Sequence, residues 1–156
     1  MASSYFKEWL VAATNPRQIL LVEDEDNDAS LIQRGSEDFN IRWTIARSYR
    51  DALFCLEDPN AKFRLVVLDL HLRSQPDGAE VFKTIKEKWP WLPVLVLSGH
   101  LSDAVIDSLT KHGFVMFLKK PTSFDLKFFG ELFFVLNIPK KPEKAILEEK
   151  QQAYNI

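Results

Sequence analysis

The sequence predicts an α/β domain whose five parallel strands run in the order 2-1-3-4-5, with helices on both faces of the sheet. Three observations lead there. Short apolar runs of strand length recur at residues 19–22, 41–46, 65–70, 94–98 and 114–119. Each run is followed by an amphipathic stretch of helical period, and strands that alternate with helices pair in parallel through right-handed crossovers. Polar residues gather just past the carboxyl ends of the strands, where open sheets of this kind bind ligands.

The elements follow in order. Residues 1–17 form an N-terminal extension with some helical character over residues 5–11, ended by Pro16. The domain proper spans 18–137. Its first strand stops at the acidic cluster Glu23-Asp24-Glu25-Asp26, and Asp26 is the expected N-cap of a helix running to about Phe39. Ser48 caps the second helix, which Pro59-Asn60 ends. The third strand, Leu65-Val66-Val67-Leu68-Asp69-Leu70, is apolar on both faces and broken by one carboxylate, as suits a buried central strand. A loop with its turn at Pro76-Asp77-Gly78 leads to a helix over residues 79–89. Ser102 or Asp103 caps the fourth helix, with Gly113 after it, and Thr122, Ser123 or Asp125 starts a last helix through Leu136. Residues 138–156 are a tail, in which 145–154 could form a charged helix.

Composition narrows the function. The chain has 156 residues, 46% hydrophobic and 27% charged, with net charge −2, so no basic excess points to DNA or to a membrane surface. A single cysteine, Cys55, suits a reducing cytoplasmic setting. Neither a signal peptide nor an apolar run of membrane-spanning length is legible.

The strand ends deliver Glu23 and Asp24, Asp69, Ser98 and Lys120. Three carboxylates at one mouth repel unless a cation intervenes. A hard, oxygen-seeking ion such as Mg²⁺ fits, keeping positions open for phosphate oxygens. Lys120 and Ser98 add a positive charge and a hydrogen bond, so together they can neutralise a phosphoryl group. Asp69 is then the candidate nucleophile.

The stretches Ile19-Leu20-Leu21-Val22-Glu23-Asp24, Leu65-Val66-Val67-Leu68-Asp69-Leu70, Val94-Leu95-Val96-Leu97-Ser98-Gly99 and Phe117-Leu118-Lys119-Lys120-Pro121 resemble the receiver domains of two-component response regulators, either a stand-alone, chemotaxis-type receiver or one cut from a larger protein. The resemblance covers about residues 18–136. It implies that Asp69 accepts a phosphoryl group from a sensor histidine kinase or phosphotransfer protein. It implies that Glu23, Asp24, Asp69 and the backbone carbonyl of His71 hold Mg²⁺. Ser98 and Phe117 correspond to the switch pair. Lys120, rather than Lys119, corresponds to the lysine of a Lys-Pro pair whose bond is usually cis. His71 and His100 fall at positions that tune the phosphoryl lifetime. Such a domain assists its own phosphorylation and is not otherwise an enzyme. The loop before Gly78 is one residue longer than usual.

Rival readings are weaker. A flavin binder would want a Gly/Ser/Thr-rich loop where this chain is acidic. A haloacid-dehalogenase-type phosphatase would want an Asp at the position of His71. A receiver-like interaction module that is never phosphorylated remains the alternative. The twenty residues after Leu136 are too few for a DNA-binding domain, so no direct DNA contact is expected. On the last helix, Leu126, Phe129, Leu132, Phe133 and Leu136 share one side. Phe128, Phe134 and Val135 fall on the other, an apolar patch that predicts a homodimer through the fourth helix, fifth strand and fifth helix.

Overall fold

We describe the fold from a computed structural model, which defines residues 15–113, 115–120 and 124–141, apart from the side chains of Leu126 and Val135. The order is β1 (Arg17–Val22), α1 (Asp26–Gly35), β2 (Ile41–Ala46), α2 (Tyr49–Glu57), β3 (Leu65–Leu68), α3 (Gly78–Lys88), β4 (Val94–Ser98), α4 (Asp103–Thr110), β5 (Val115–Lys119) and α5 (Leu126–Val135). The sheet runs β2-β1-β3-β4-β5, every pair parallel. Fold class and strand order are those expected from the sequence. No described helix is long and apolar enough to cross a membrane.

Alternation along the strands divides the core in two. Leu20, Val22, Val66, Leu68, Val94 and Val96 face α2, α3 and α4, meeting Ala52, Val81, Phe82, Ile85 and Leu109. Ile19, Leu21, Leu65, Val67, Leu95 and Leu97 face α1 and α5, meeting Ala29, Ile32, Phe129 and Phe133. The register aligns Val22 with Leu68, and Leu68 with Val96. One residue further, Glu23 and Asp69 therefore leave neighbouring strands side by side. They share parity with Leu21 and Val67, so they turn toward the α1 side.

Several boundaries differ from expectation. Helix α1 stops at Gly35, not near Phe39, because the Ser36 hydroxyl donates back to the Ile32 carbonyl at 2.6 Å and itself accepts from Trp43 Nε1 at 2.9 Å. Its N-cap is Glu25, without a side-chain capping bond, and Asp26 lies inside the first turn. Asp77 caps α3, which starts at Gly78 and ends at Lys88. Ser48, Ser102 and Asp125 cap α2, α4 and α5 by accepting from backbone N–H groups. After α5, Ile138 packs on the α1-side core, and Phe39 pairs with Lys140 in an antiparallel bridge. Residues 139–141 thus lie beside 38–40, ahead of β2, where Asn40 N–H donates to the Pro139 carbonyl.

The outward apolar patch of α5 is smaller than predicted. Phe128 is half-buried, its ring edge-on to Phe124 at 5.9 Å and to Phe129 at 5.1 Å. A helical wheel cannot see Phe124, which precedes the helix and folds over it. Phe134 is 84% exposed, as expected. The Val135 side chain, the Lys120–Pro121 bond and the helices expected over 5–11 and 145–154 lie outside the described residues.

Candidate functional site

The mouth of the sheet is built by the ends of β1, β3 and β5 and the first turn of α1. Asp69 is only 5% exposed. Its backbone N–H continues the ladder to the Val22 carbonyl at 3.0 Å. Its Oδ1 accepts from the His71 N–H at 2.9 Å, and its Oδ2 from Lys120 Nζ at 2.9 Å. Lys120 follows β5 with the parity of Leu118 and so reaches the same side as Glu23 and Asp69. Lys119 is exposed.

Lys120 gathers the acids around itself. Its Nζ lies 2.8 Å from Glu23 Oε2 and 2.8 Å from Asp28 Oδ2, in addition to Asp69. Burial alone would lower the lysine's pKa. The hydrogen bonds to Asp28, Glu23 and Asp69 outweigh burial and hold it above the usual lysine range. Glu23 is 1% exposed. Burial pushes its carboxyl up to about 7, with the Lys120 hydrogen bond opposing and the Asp69 charge adding. The second Glu23 oxygen accepts from the Glu25 N–H at 3.1 Å.

Asp24 stands apart from this cluster. Its Oδ2 accepts from the Arg73 N–H at 2.7 Å, tying the loop after β3 to the end of β1. Its Oδ1 is buried with no hydrogen-bond partner. A buried carboxylate oxygen with nothing to accept is costly, and a hard cation is the partner it fits. Among the described residues, no three acidic, imidazole or thiol groups stand arranged around one point as metal ligands. The carboxylates converge on the Lys120 ammonium instead. The donor chemistry still fits a divalent ion, since Asp24 at the end of β1 offers a buried oxygen without a partner while its other oxygen holds the loop that follows Asp69.

Ser98 is fully buried at the end of β4, its Oγ 3.5 Å from the His100 carbonyl. The His71 ring Nε2 lies 3.3 Å from that same carbonyl, so one backbone oxygen links the loops after β3 and β4. Both histidines are exposed. Phe117 is half-buried and packs with the α2–α4 side of the core. The geometry therefore brings Glu23, Asp69 and Lys120 into direct contact, with Asp24 and His71 beside them. Ser98 and His100 lie on the neighbouring loop, and Phe128 and Phe134 lie on α5, away from the cluster. Around the rim, Arg73 pairs with Glu25 and Arg47 with Asp26.

Asp28 is the residue that the sequence reading missed. Acidic residues are ordinary in the first turn of a helix, so its type carried no signal. Its place in the first turn of α1 is shared with Asp26, so spacing did not single it out either; only the contact with Lys120 does.

Comparison with known proteins agrees with this geometry. A family model described as the response regulator receiver domain matches residues 19–126. The nitrogen assimilation regulatory protein NtrX of Azorhizobium caulinodans is 34% identical over 109 residues, which cover 69% of this chain and 23% of that protein. Transcriptional regulatory protein ZraR of Klebsiella oxytoca is 32% identical, over 69% of this chain and 24% of its own length. The chain thus spans about a quarter of the length of such relatives. Among solved structures, the Mn²⁺-bound form of response regulator Rcp1 superposes with a TM-score of 0.62 at 26% identity, covering 75% of this chain and 88% of that one. Brucella abortus NtrX, solved with ADP, gives 0.63 at 31%, covering 74% and 26%. With its sheet in 2-1-3-4-5 order, its acids and lysine at one mouth, and a family model matched over most of its length, the chain belongs to the response regulator receiver domain family.

Proposed function

We propose that this receiver is a phosphoacceptor in which Asp69 takes a phosphoryl group from a sensor histidine kinase or a phosphotransfer protein. The reading rests above all on the Asp69 carboxylate, buried in the mouth and bonded to Lys120 at 2.9 Å, with an unpartnered Asp24 oxygen at the end of the neighbouring strand β1. An Asp69 oxygen attacks phosphorus, a P–O bond forms, and the donor's bond to phosphorus breaks with its electron pair leaving on the donor. Mg²⁺, held by Asp24 with Glu23, Asp69 and the His71 carbonyl, would supply positive charge facing the phosphoryl oxygens.

The chain's own residues carry the rest. Lys120 neutralises a phosphoryl oxygen. The Ser98 hydroxyl leaves the His100 carbonyl to reach another, and Phe117 follows it inward as the switch aromatic. His71 and His100 flank the acyl phosphate and set its lifetime by limiting the approach of water. The domain promotes its own phosphorylation and dephosphorylation and turns over no separate substrate. It passes its signal in the cytoplasm by protein contact. A homodimer forms through α4, β5 and α5, with exposed Phe134 at its centre, half-buried Phe128 at its margin and Val135 alongside.

Incubation with Mg²⁺ and a small phosphodonor, read by intact mass, tests the reading. A phosphate-sized gain in the wild type that is lost in Asp69→Asn is expected. Absence of the gain in the wild type would leave the non-phosphorylated interaction module standing.

A further inference from the structure

We infer that Asp28 is a positioning residue that holds Lys120 back in the resting domain and surrenders it when a phosphoryl group arrives. This rests on the phosphoacceptor reading of Asp69.

An ammonium has three N–H donors. In Lys120 all three have takers: Glu23 Oε2 at 2.8 Å, Asp28 Oδ2 at 2.8 Å and Asp69 Oδ2 at 2.9 Å. Lys120 therefore has no free donor for a phosphoryl oxygen, and one of the three bonds must break first. The partners differ in what release costs them. Glu23 is 1% exposed, and releasing it would leave a buried carboxylate oxygen unpaired. Asp69 is itself the group being phosphorylated. Asp28 has about a third of its side chain exposed and sits in the first turn of α1. Water and the open N–H groups of a helix N-terminus can take its carboxylate back. Asp28 is thus the partner that lets go.

Its neighbours do not share this role. Asp26 is paired with Arg47 and Glu25 with Arg73, both out at the rim. In the resting state the Asp28 ion pair competes with the incoming group for Lys120. Removing its charge frees the lysine ahead of time.

The test is the rate of phosphate uptake by the full chain from acetyl phosphate at saturating Mg²⁺, followed by intact mass. Asp28→Asn should raise the rate constant roughly two- to fivefold, the size of one partly exposed ion pair. The donor concentration giving half-maximal rate should not move. Asp28→Ser should follow Asp28→Asn, whereas Asp28→Glu, long enough to re-pair with Lys120, should return to the wild-type rate. Asp26→Asn controls for bulk charge and should leave the rate unchanged. An unchanged or slower Asp28→Asn overturns the inference while leaving Asp69 as acceptor. Equal acceleration by Asp26→Asn also overturns it, because the effect is then general charge. If the wild type takes up no phosphate, the acceptor reading falls and this inference falls with it.

Discussion

Gly78 offers a sharp test of how the site is held. A Cβ added there would lie 2.3 Å from the Asp69 carbonyl oxygen, 2.4 Å from Leu70 Cα and 2.8 Å from the Leu70 carbonyl carbon. Ordinary carbon–oxygen contacts begin at about 3.3 Å, so the Asp69–Leu70 backbone must retreat by about 1 Å. Gly78 is buried at the start of α3, and its N–H donates to the Leu70 carbonyl at 3.1 Å, so neither partner has open space. Alanine favours a helix over glycine by about 0.5–1 kcal/mol. Overpacking against backbone costs about 1–3 kcal/mol and wins. Gly78→Ala should therefore lose about 2 kcal/mol in urea unfolding. A displacement of about 1 Å at a reacting group costs about a hundredfold in rate, so its phosphate uptake from a small donor should fall by that order. Gly35→Ala is the control. Its Cβ would meet the Phe129 ring at 2.4 Å and the Phe124 carbonyl at 2.9 Å, in the core under α5. It should lose similar stability, yet the folded fraction should take up phosphate at the wild-type rate. Equal uptake in the two variants would refute the idea that Gly78 sets the position of Asp69.

Three further outcomes are expected. Glu23 titrates at about 7 in the folded chain against 4.5 as its ordinary value, so the folded state holds a proton that the unfolded chain has released between those limits. Stability in metal-free buffer should fall as pH rises across that window; Glu23→Gln should lack this component, and parallel pH profiles would refute it. Asp24→Asn should weaken Mg²⁺ binding at least about tenfold by calorimetric titration, because it removes the charge on the one buried carboxylate oxygen without a partner among the described residues; unchanged affinity would remove Asp24 as a ligand. Phe134→Glu should turn a dimer into a monomer in sedimentation, since Phe134 is the most exposed of the large apolar side chains described; a wild type that is already monomeric at high micromolar concentration would refute the dimer face.

The strands were legible because each is a short apolar run that a buried parallel strand requires, and their carboxyl ends name Glu23, Asp24, Asp69, Ser98 and Lys120 directly. What escaped the sequence are the contacts that cross between elements. Nothing in Ser36 announces that its hydroxyl turns back on Ile32 and ends α1 four residues early. Phe128 reads as outward on a wheel until Phe124 folds against it. Asp28 is one acid among several in a first turn, and only the arrival of Lys120 from the far edge of the sheet, 92 positions along the chain, distinguishes it.

The charge pattern at the mouth explains why such a site can exist in a stable fold. Three carboxylates, Glu23, Asp28 and Asp69, share one ammonium, and Asp24 adds a fourth negative charge outside that cluster, so full ionisation leaves the mouth strongly negative. Burial answers part of this by holding Glu23 toward its protonated form, and Lys120 answers more by spending every donor it has. Among the described residues, the unmet demand is localised on a single atom, Asp24 Oδ1. If Lys120 satisfied that oxygen too, the mouth would have little drive to take up a cation. Without Lys120, the repulsion among the acids would fall on a domain whose whole stability is of order 10 kcal/mol. The lysine thus offsets much of the repulsion in the resting state and leaves one acceptor, Asp24 Oδ1, unmet. On the phosphoacceptor reading, a phosphoryl group at Asp69 draws Lys120 from Asp28 rather than from Glu23, and that couples occupancy of Asp69 to the first turn of α1.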